Sequence, residues 1–411
     1  MKTAFFSCLI LLTCSLSLPA QSKLYPYRKG NLWGYCNENK KIIVEPVYNI
    51  TYPHSDGMGL IISYDAAQKK FSYGFVDEKG KMVVKPQFAS ANFFTKERSI
   101  VKNAEGKFGV IDTKGKIIIT PLYTKIIFFE KSSLFKITND QNKVALFDLK
   151  GKKLFDFKFD DIDDASYELH AILNTDDGGK KYCTWIDRTG KEIPVKLAGA
   201  EEFIDGLAAA SDMVSGKFGY MNTKGQWVIQ PQYWMAKPFN GGIALIANSQ
   251  TNTRWMYINT KGDTLFNKYG YPTAESFKDG LALIDYKFIS KDGTSFLSQY
   301  NFCFEFRGGL AQVRSTGSSI SEWYLIDKTG NVLSKTPYSG GNFVYGTSGL
   351  VLKQYGWKYG VIDRTGDSIV EPKYDRLSFR NGMICTSYQD KNYNDVITGY
   401  ITEKGVECWD N

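Results

Sequence analysis

Side chains able to do acid–base, nucleophilic or metal chemistry are sparse in this 411-residue sequence. The two histidines, His54 and His170, stand far apart with no second ligand at metal spacing, so neither a zinc cluster nor a histidine relay can be built from the pattern. The sequence contains no G-x-S-x-G elbow, no phosphate-cradling glycine loop and no D-x-[DN]-x-[DN]-G calcium loop. Carboxylates are densest at Asp160, Asp161, Asp163 and Asp164. A glycosidase-like acid pair is the chemistry to test there, and a solvated loop is the simpler reading.

A second set of carboxylates is regular. Asp77/Gly80, Asp112/Gly115, Asp148/Gly151, Asp187/Gly190, Asp327/Gly330 and Asp363/Gly366 share one spacing, and Asn222/Gly225 and Asn259/Gly262 follow it with an amide. A ring of such acids would invite cations, but calcium needs several converging oxygens and each copy supplies one, with Asn substituting freely. Turn chemistry fits better: Asp or Asn accepts nearby backbone N–H groups, and Gly supplies the positive φ of a tight hairpin. Weaker copies stand at Ser290/Gly293 and Thr402/Gly405, and the first, at Asn37 and Lys40, lacks the glycine.

These turns must sit between strands. Phe218 to Ile246 reads as three short apolar runs, FGYM, WVI and IALI, separated by N-T-K-G, by Pro231 and by Gly242, each too short for a helix. Successive turn glycines from Gly80 onward lie 35, 36, 39, 35, 37, 31, 37, 36 and 39 residues apart. The fold class expected is all-β: about eleven tandem antiparallel meanders of ~36 residues, stacked as a closed propeller or an open superhelix. Third runs begin with small residues (Gly206, Gly242, Gly280, Gly309), which suits a crowded strand or a sharp bend. Phe203, Phe239, Phe277, Phe306 and Phe379 precede them as expected plugs between neighbours. Pro46, Pro86, Pro121, Pro231 and Pro372 are expected to end the second run or to lie on its outward edge. The chain opens on a third run, KLYPYRK, and ends on a first and second run, so its ends are complementary fragments of one unit.

The segments around Trp33-Gly34-Tyr35, YGFVDEKGKMVVKPQF (Tyr73 to Phe88) and YGVIDRTGDSIVEPKY (Tyr359 to Tyr374) resemble the WG β-repeat family of bacterial proteins. Ala145, Thr184, Met256, Lys287 and Tyr324 depart from it by replacing the first glycine. The resemblance implies an exported or envelope-associated repeat scaffold and supplies no catalytic residues.

Residues 1–20 read as a secretory signal, with Lys2, an apolar stretch from Ala4 to Leu12, and Leu18-Pro19-Ala20 before Gln21; acylation at Cys14 is the alternative. The array then occupies residues 21–411, as one body or two. Cys36, Cys183, Cys303, Cys385 and Cys408 would remain, an odd number at irregular spacing, which is no disulfide framework. The formal charge of +8 is spread over the repeats, with no basic block to bind nucleic acid, and no segment has the length of a membrane-spanning helix.

The function expected is an exported scaffold that binds a protein or peptide partner, without cofactor, metal or catalytic group. Glycan or cell-wall binding through aromatics is the alternative, and a carboxylate hydrolase the third reading. Variable connections at 174–181, 247–254, 314–322 and 388–396 mark the expected binding rim, and Trp234, Arg254, Glu322 and Tyr393 are its candidate contacts.

Overall fold

The computed structural model describes residues 23–410 apart from 166–168, 252–253, 268, 279, 286, 297–299, 305, 307–308, 316–321, 334–337, 340–350, 356–357, 364–366, 381 and 390–394. The expected leader at 1–20, Cys14, Gly366 and Tyr393 lie outside the described residues.

Eleven small sheets follow one another along the described chain, and no helix is found among these residues. The first sheet is built from β1 (Tyr25–Lys29), β2 (Leu32–Cys36) and β3 (Ile42–Tyr48). The second runs through β4 (Ile50–Thr51), β5 (Met58–Asp65), β6 (Lys70–Asp77) and β7 (Met82–Phe88), hydrogen-bonded in the order β7-β6-β5-β4. β5 is a third run, buried from Met58 to Ile62, and β6 carries the YGFVD of the next copy. β7 alternates between exposed and covered residues, as an edge strand beside water must. A sheet therefore straddles two sequence copies.

The first glycine of the motif has a steric cause. A β-carbon on Gly34 would lie 2.1 Å from the Val44 carbonyl oxygen, because β3 bulges towards β2 between the pairs Trp33↔Tyr48 and Tyr35↔Val44. Gly74, Gly109, Gly219 and Gly360 face the same carbonyl position in their own sheets. These five sheets are the ones with seven-residue outer strands: β3, β7, Ile117–Tyr123, Trp227–Tyr233 and Ser368–Tyr374. Where Ala145 or Thr184 replaces the glycine, the outer strand shrinks to isolated bridges; beside Met256, Lys287 and Tyr324 it is two residues long. The prolines lie inside these outer strands rather than at their ends, so the outward-edge alternative is the one found.

Gly206 and Gly242 have φ of +79° and +83°, and a β-carbon on either would meet nothing within 4 Å. Backbone conformation, not crowding, requires glycine there, which corrects the expectation of a crowded strand.

Each apolar core lies between consecutive sheets. Phe75 and Phe94 meet between the second and third sheets, and Tyr220 and Phe239 between the sixth and seventh. Tyr25 and Trp33 of the first sheet pack with Met383 and Tyr400 of the eleventh, so the succession of cores returns to its start. Trp409–Asp410 pairs in parallel with Arg28 and Lys29 of β1 and takes the edge position that β4 occupies beside β5. Arg28 N–H donates to the Cys408 carbonyl at 3.1 Å, and Arg28 Nε to the Thr398 carbonyl at 2.8 Å. Lys40, the residue standing where other turns have glycine, adopts φ +63° and reaches Asp410 at 2.7 Å. Its ammonium explains why the first turn departs from the pattern: it fastens the far end of the chain.

Candidate functional site

The recurring carboxylate is spent on its own turn. Asp77 Oδ1 accepts from the N–H groups of Lys79 at 2.9 Å and Lys81 at 2.8 Å, while Gly80 N–H donates to the Asp77 carbonyl at 2.9 Å. Asp112, Asp187, Asn222 and Asp327 accept the same pair of backbone donors, and Asp363 accepts from Asp367 N–H. Hydroxyls of Thr189 and Thr329 hold Asp187 and Asp327 below the usual carboxylate range. Gly80, Gly115, Gly190, Gly225 and Gly330 all have positive φ.

Because strands consecutive in the chain pair antiparallel within each sheet, these turns emerge at one edge of the array, and the hairpins joining each second strand to its third emerge at the other. The turn edge is nearly constant. The hairpin edge varies from two connecting residues (30–31, 285–286) to seven (248–254).

The candidate contacts fare differently on inspection. Trp234 is 40% exposed, with the Lys217 ammonium 5.9 Å above its ring. Arg254 donates from Nε to the Tyr269 carbonyl and from Nη2 to the Gly270 carbonyl, both at 2.7 Å, so its guanidinium clamps the outer segment of the seventh sheet. Glu322 begins a strand of the ninth sheet, paired with Ser339. Nothing brings these positions together around a common point.

Asp161 and Asp163 are exposed, and Asp160, Asp163 and Asp164 lie outside regular structure, as a solvated loop would have them. Asp160, Asp161 and Asp164 border the short first strand Asp161–Ile162 of the fifth sheet and tie it to the fourth, through Lys143 to Asp160 at 2.6 Å, Lys136 to Asp161 at 2.7 Å, and Ser132 Oγ to Asp164 at 2.8 Å. Each acid has its own cation or donor.

His170 is a core residue and His54 is half-buried at the first joint. His54 packs against Tyr35 with ring centroids 5.0 Å apart and donates from Nε2 to the Asp77 carbonyl at 3.1 Å. His170 is fully buried and donates from Nδ1 to the Asp163 carbonyl at 3.0 Å. Burial lowers the pKa of both. Among the described residues no group of three or more His, Cys, Asp or Glu side chains is placed to hold a metal ion.

Concave space lies along the first strands of the sheets, the edge opposite the outer strands. A cavity of about 620 Å³ runs past Tyr52, Phe93 and Phe128 of the second, third and fourth sheets to Arg380 of the eleventh. A second, of about 380 Å³, shares Tyr52 and Arg380 and is walled by Trp33 and Tyr400 at the joint between the chain ends. Sequence reading passed over Arg380 and Tyr400, because their relation to Tyr52 exists only once the eleventh sheet meets the first.

In fold, the chain is similar to several solved structures at low identity. The crystal structure of a eukaryotic initiation factor aligns at 12% identity over 84% of this chain and 95% of that one, with a TM-score of 0.41. BamB from Moraxella catarrhalis aligns at 11% over 74% and 93%, with a TM-score of 0.26. The β-propeller domain of the Trilobed protease from Pyrococcus furiosus, which has an open velcro topology, aligns at 9% over 86% and 99%, with a TM-score of 0.27. No curated protein matches the sequence. The WG containing repeat family matches residues 33–61, 73–107, 108–141, 218–248, 255–285 and 359–393. With the motif recurring from the first sheet to the last two, and its glycine tied to a bulged outer strand, the chain belongs to the WG containing repeat family.

Proposed function

We propose that this protein is an exported, non-catalytic scaffold whose hairpin edge binds a protein or peptide partner in the cell envelope. The observation that carries this reading is the asymmetry between the two edges. Turn geometry is held constant on one, while connection length and composition change from sheet to sheet on the other. Loops borne on a rigid frame are where recognition ordinarily resides, and a repeat array sets several of them side by side. The apolar stretch and small-residue site within residues 1–20 support export.

The test is affinity capture from envelope extracts with the intact chain and with a form in which residues 248–254 and 316–321 are each replaced by Asn-Gly. A partner held by the intact chain and lost by the trimmed one supports the reading. Equal capture by both removes the hairpin edge from it. Mass spectrometry of the N-terminus in the native cells tests export separately, with Gln21 or a lipidated Cys14 expected as the first residue.

A further inference from the structure

At four joints between sheets, the aromatic residue following the motif's first glycine position reaches across to the next sheet. The Tyr35 hydroxyl donates to the Tyr52 carbonyl at 2.8 Å, Trp185 Nε1 to Glu201 at 2.7 Å, the Tyr220 hydroxyl to Lys237 at 2.8 Å and the Tyr257 hydroxyl to Glu275 at 2.7 Å. The acceptor just follows the next sheet's first strand at three of the joints, and at the fourth Glu275 follows Ala274, which is bridged to Ile284. An aromatic plug two residues later then covers the ring, as Phe239 covers Tyr220 at 4.6 Å and Phe277 covers Tyr257 at 5.2 Å.

Tyr400 holds this position in the eleventh sheet, and the sheet beyond it is the first. There the edge beside β1 is occupied by Trp409–Asp410, running parallel to β1 where β4 runs antiparallel to β5. Among the described residues no segment supplies the carbonyl or the plug. Tyr400 is 1% exposed, and its hydroxyl has no hydrogen-bond partner among the described residues. A buried hydroxyl without an acceptor is costly and uncommon in a native fold. Tyr400 lines the cavity of about 380 Å³, whose walls include Trp33, Tyr52 and Arg380. Trp33 stands edge-on to Tyr400 at 6.0 Å. Arg380 is exposed, forms no ion pair or hydrogen bond among the described residues, and lies near enough for its charge to act on both the Tyr52 and Tyr400 hydroxyls.

The pocket thus presents an unused hydroxyl donor, an unused guanidinium and aromatic walls, at the place where the other joints receive an extended peptide carrying an aromatic side chain. We propose that it binds the C-terminal end of a peptide, with the terminal carboxylate on Arg380 and Tyr400 and an aromatic last side chain against Trp33 and Tyr52. A guanidinium with a phenolic hydroxyl suits the two oxygens of a carboxylate, and the aromatic walls exclude the water that would compete for them. The site is independent of the hairpin edge, so a chain with trimmed hairpins should retain it.

Calorimetric titration of the full chain with acetyl-Gly-Gly-Phe, with the corresponding C-terminal amide, and with octanoate tests the assignment. One-to-one binding of the acid is expected, with the amide at least about tenfold weaker, in keeping with the loss of a charge-assisted hydrogen bond. R380Q should abolish the difference between acid and amide, and Y400F should weaken the acid while leaving the unfolding midpoint unchanged or raised. Equal binding of acid and amide, or unaltered binding by R380Q, would overturn the proposal. Octanoate binding in preference to the peptide would overturn it in favour of a free apolar acid. Absence of saturable binding by any of the three would overturn it too.

Discussion

The α-carbon of Gly219 lies directly beneath the carbonyl of Ile229, so that a β-carbon added there would sit 2.4 Å from that oxygen. The contact exists because Trp227–Tyr233 bulges towards Phe218–Asn222 between Phe218↔Tyr233 and Tyr220↔Ile229. Replacing Gly219 with Ala must push the outer strand away. Overpacking of this kind costs about 1–3 kcal/mol. Scanning calorimetry of Gly219→Ala should show a lower unfolding midpoint, with hydrogen exchange speeding up at Trp227–Tyr233 first. A Gly219→Ala chain as stable as the parent would refute the steric account of the motif glycine.

Hydroxyls that cross between sheets should be distinguishable from the one that does not. Tyr220→Phe removes the bond to the Lys237 carbonyl and should destabilise by roughly 0.5–1.5 kcal/mol, the usual net worth of such a bond. Tyr400→Phe removes a hydroxyl that has no partner and should cost nothing. Equal losses in the two variants, measured by denaturant unfolding, would mean that Tyr400 is bonded after all.

The histidines set an acid limit on stability. His54 and His170 are held neutral by burial, which lowers their pKa below the unfolded value of about 6.5. The unfolded chain therefore binds these protons more readily, and stability falls as pH drops below about 6.5 towards the folded pKa. His54→Phe places at the first joint the residue that Phe94 supplies at the second, and should flatten the decline in unfolding midpoint between pH 7 and 5. An unchanged decline would assign it to other groups.

Cys36 and Cys408 meet across the joint of the chain ends. Both are buried in the same apolar core, where the neighbouring thiol lowers the pKa of Cys36 and raises that of Cys408. Refolding in a buffer of reduced and oxidised glutathione should let the glutathione disulfide accept two electrons while the thiols lose two protons, joining residues 36 and 408. Peptide mapping without reductant reads this out; Cys303, buried in the ninth sheet, should stay a free thiol. Two free thiols at 36 and 408 in the refolded chain would place the ends further apart than described.

What could be read in advance was what recurs. Eight Asp or Asn turns at one spacing, with glycine three residues on, announce hairpins because the chemistry is local to five residues. Phe239 and Phe277 were legible as plugs for the same reason, a fixed offset from a glycine. Features set by a neighbouring sheet were not. The Gly34 contact depends on a bulge ten residues away, and Arg254 looked free because its carbonyl partners at Tyr269 and Gly270 lie on another strand. The ion pairs that Lys136 and Lys143 of the fourth sheet make with Asp161 and Asp160 were not legible either. The pocket at Tyr400 arises from contact between residues more than 300 positions apart, which no local pattern reveals.

The claim on which the rest depends is that the eleventh sheet packs on the first. Solution scattering of the mature chain tests it directly. A compact chain of this length has a radius of gyration of about 21 Å, and a ring of small sheets should lie within a few ångströms of that. Eleven sheets stacked openly at about 10 Å each would extend about 110 Å, with a radius of gyration near about 32 Å from length alone. A value close to the first, with a single-peaked distance distribution, is the expected result. A value close to the second would contradict the joint, the thiol contact and the carboxylate pocket together.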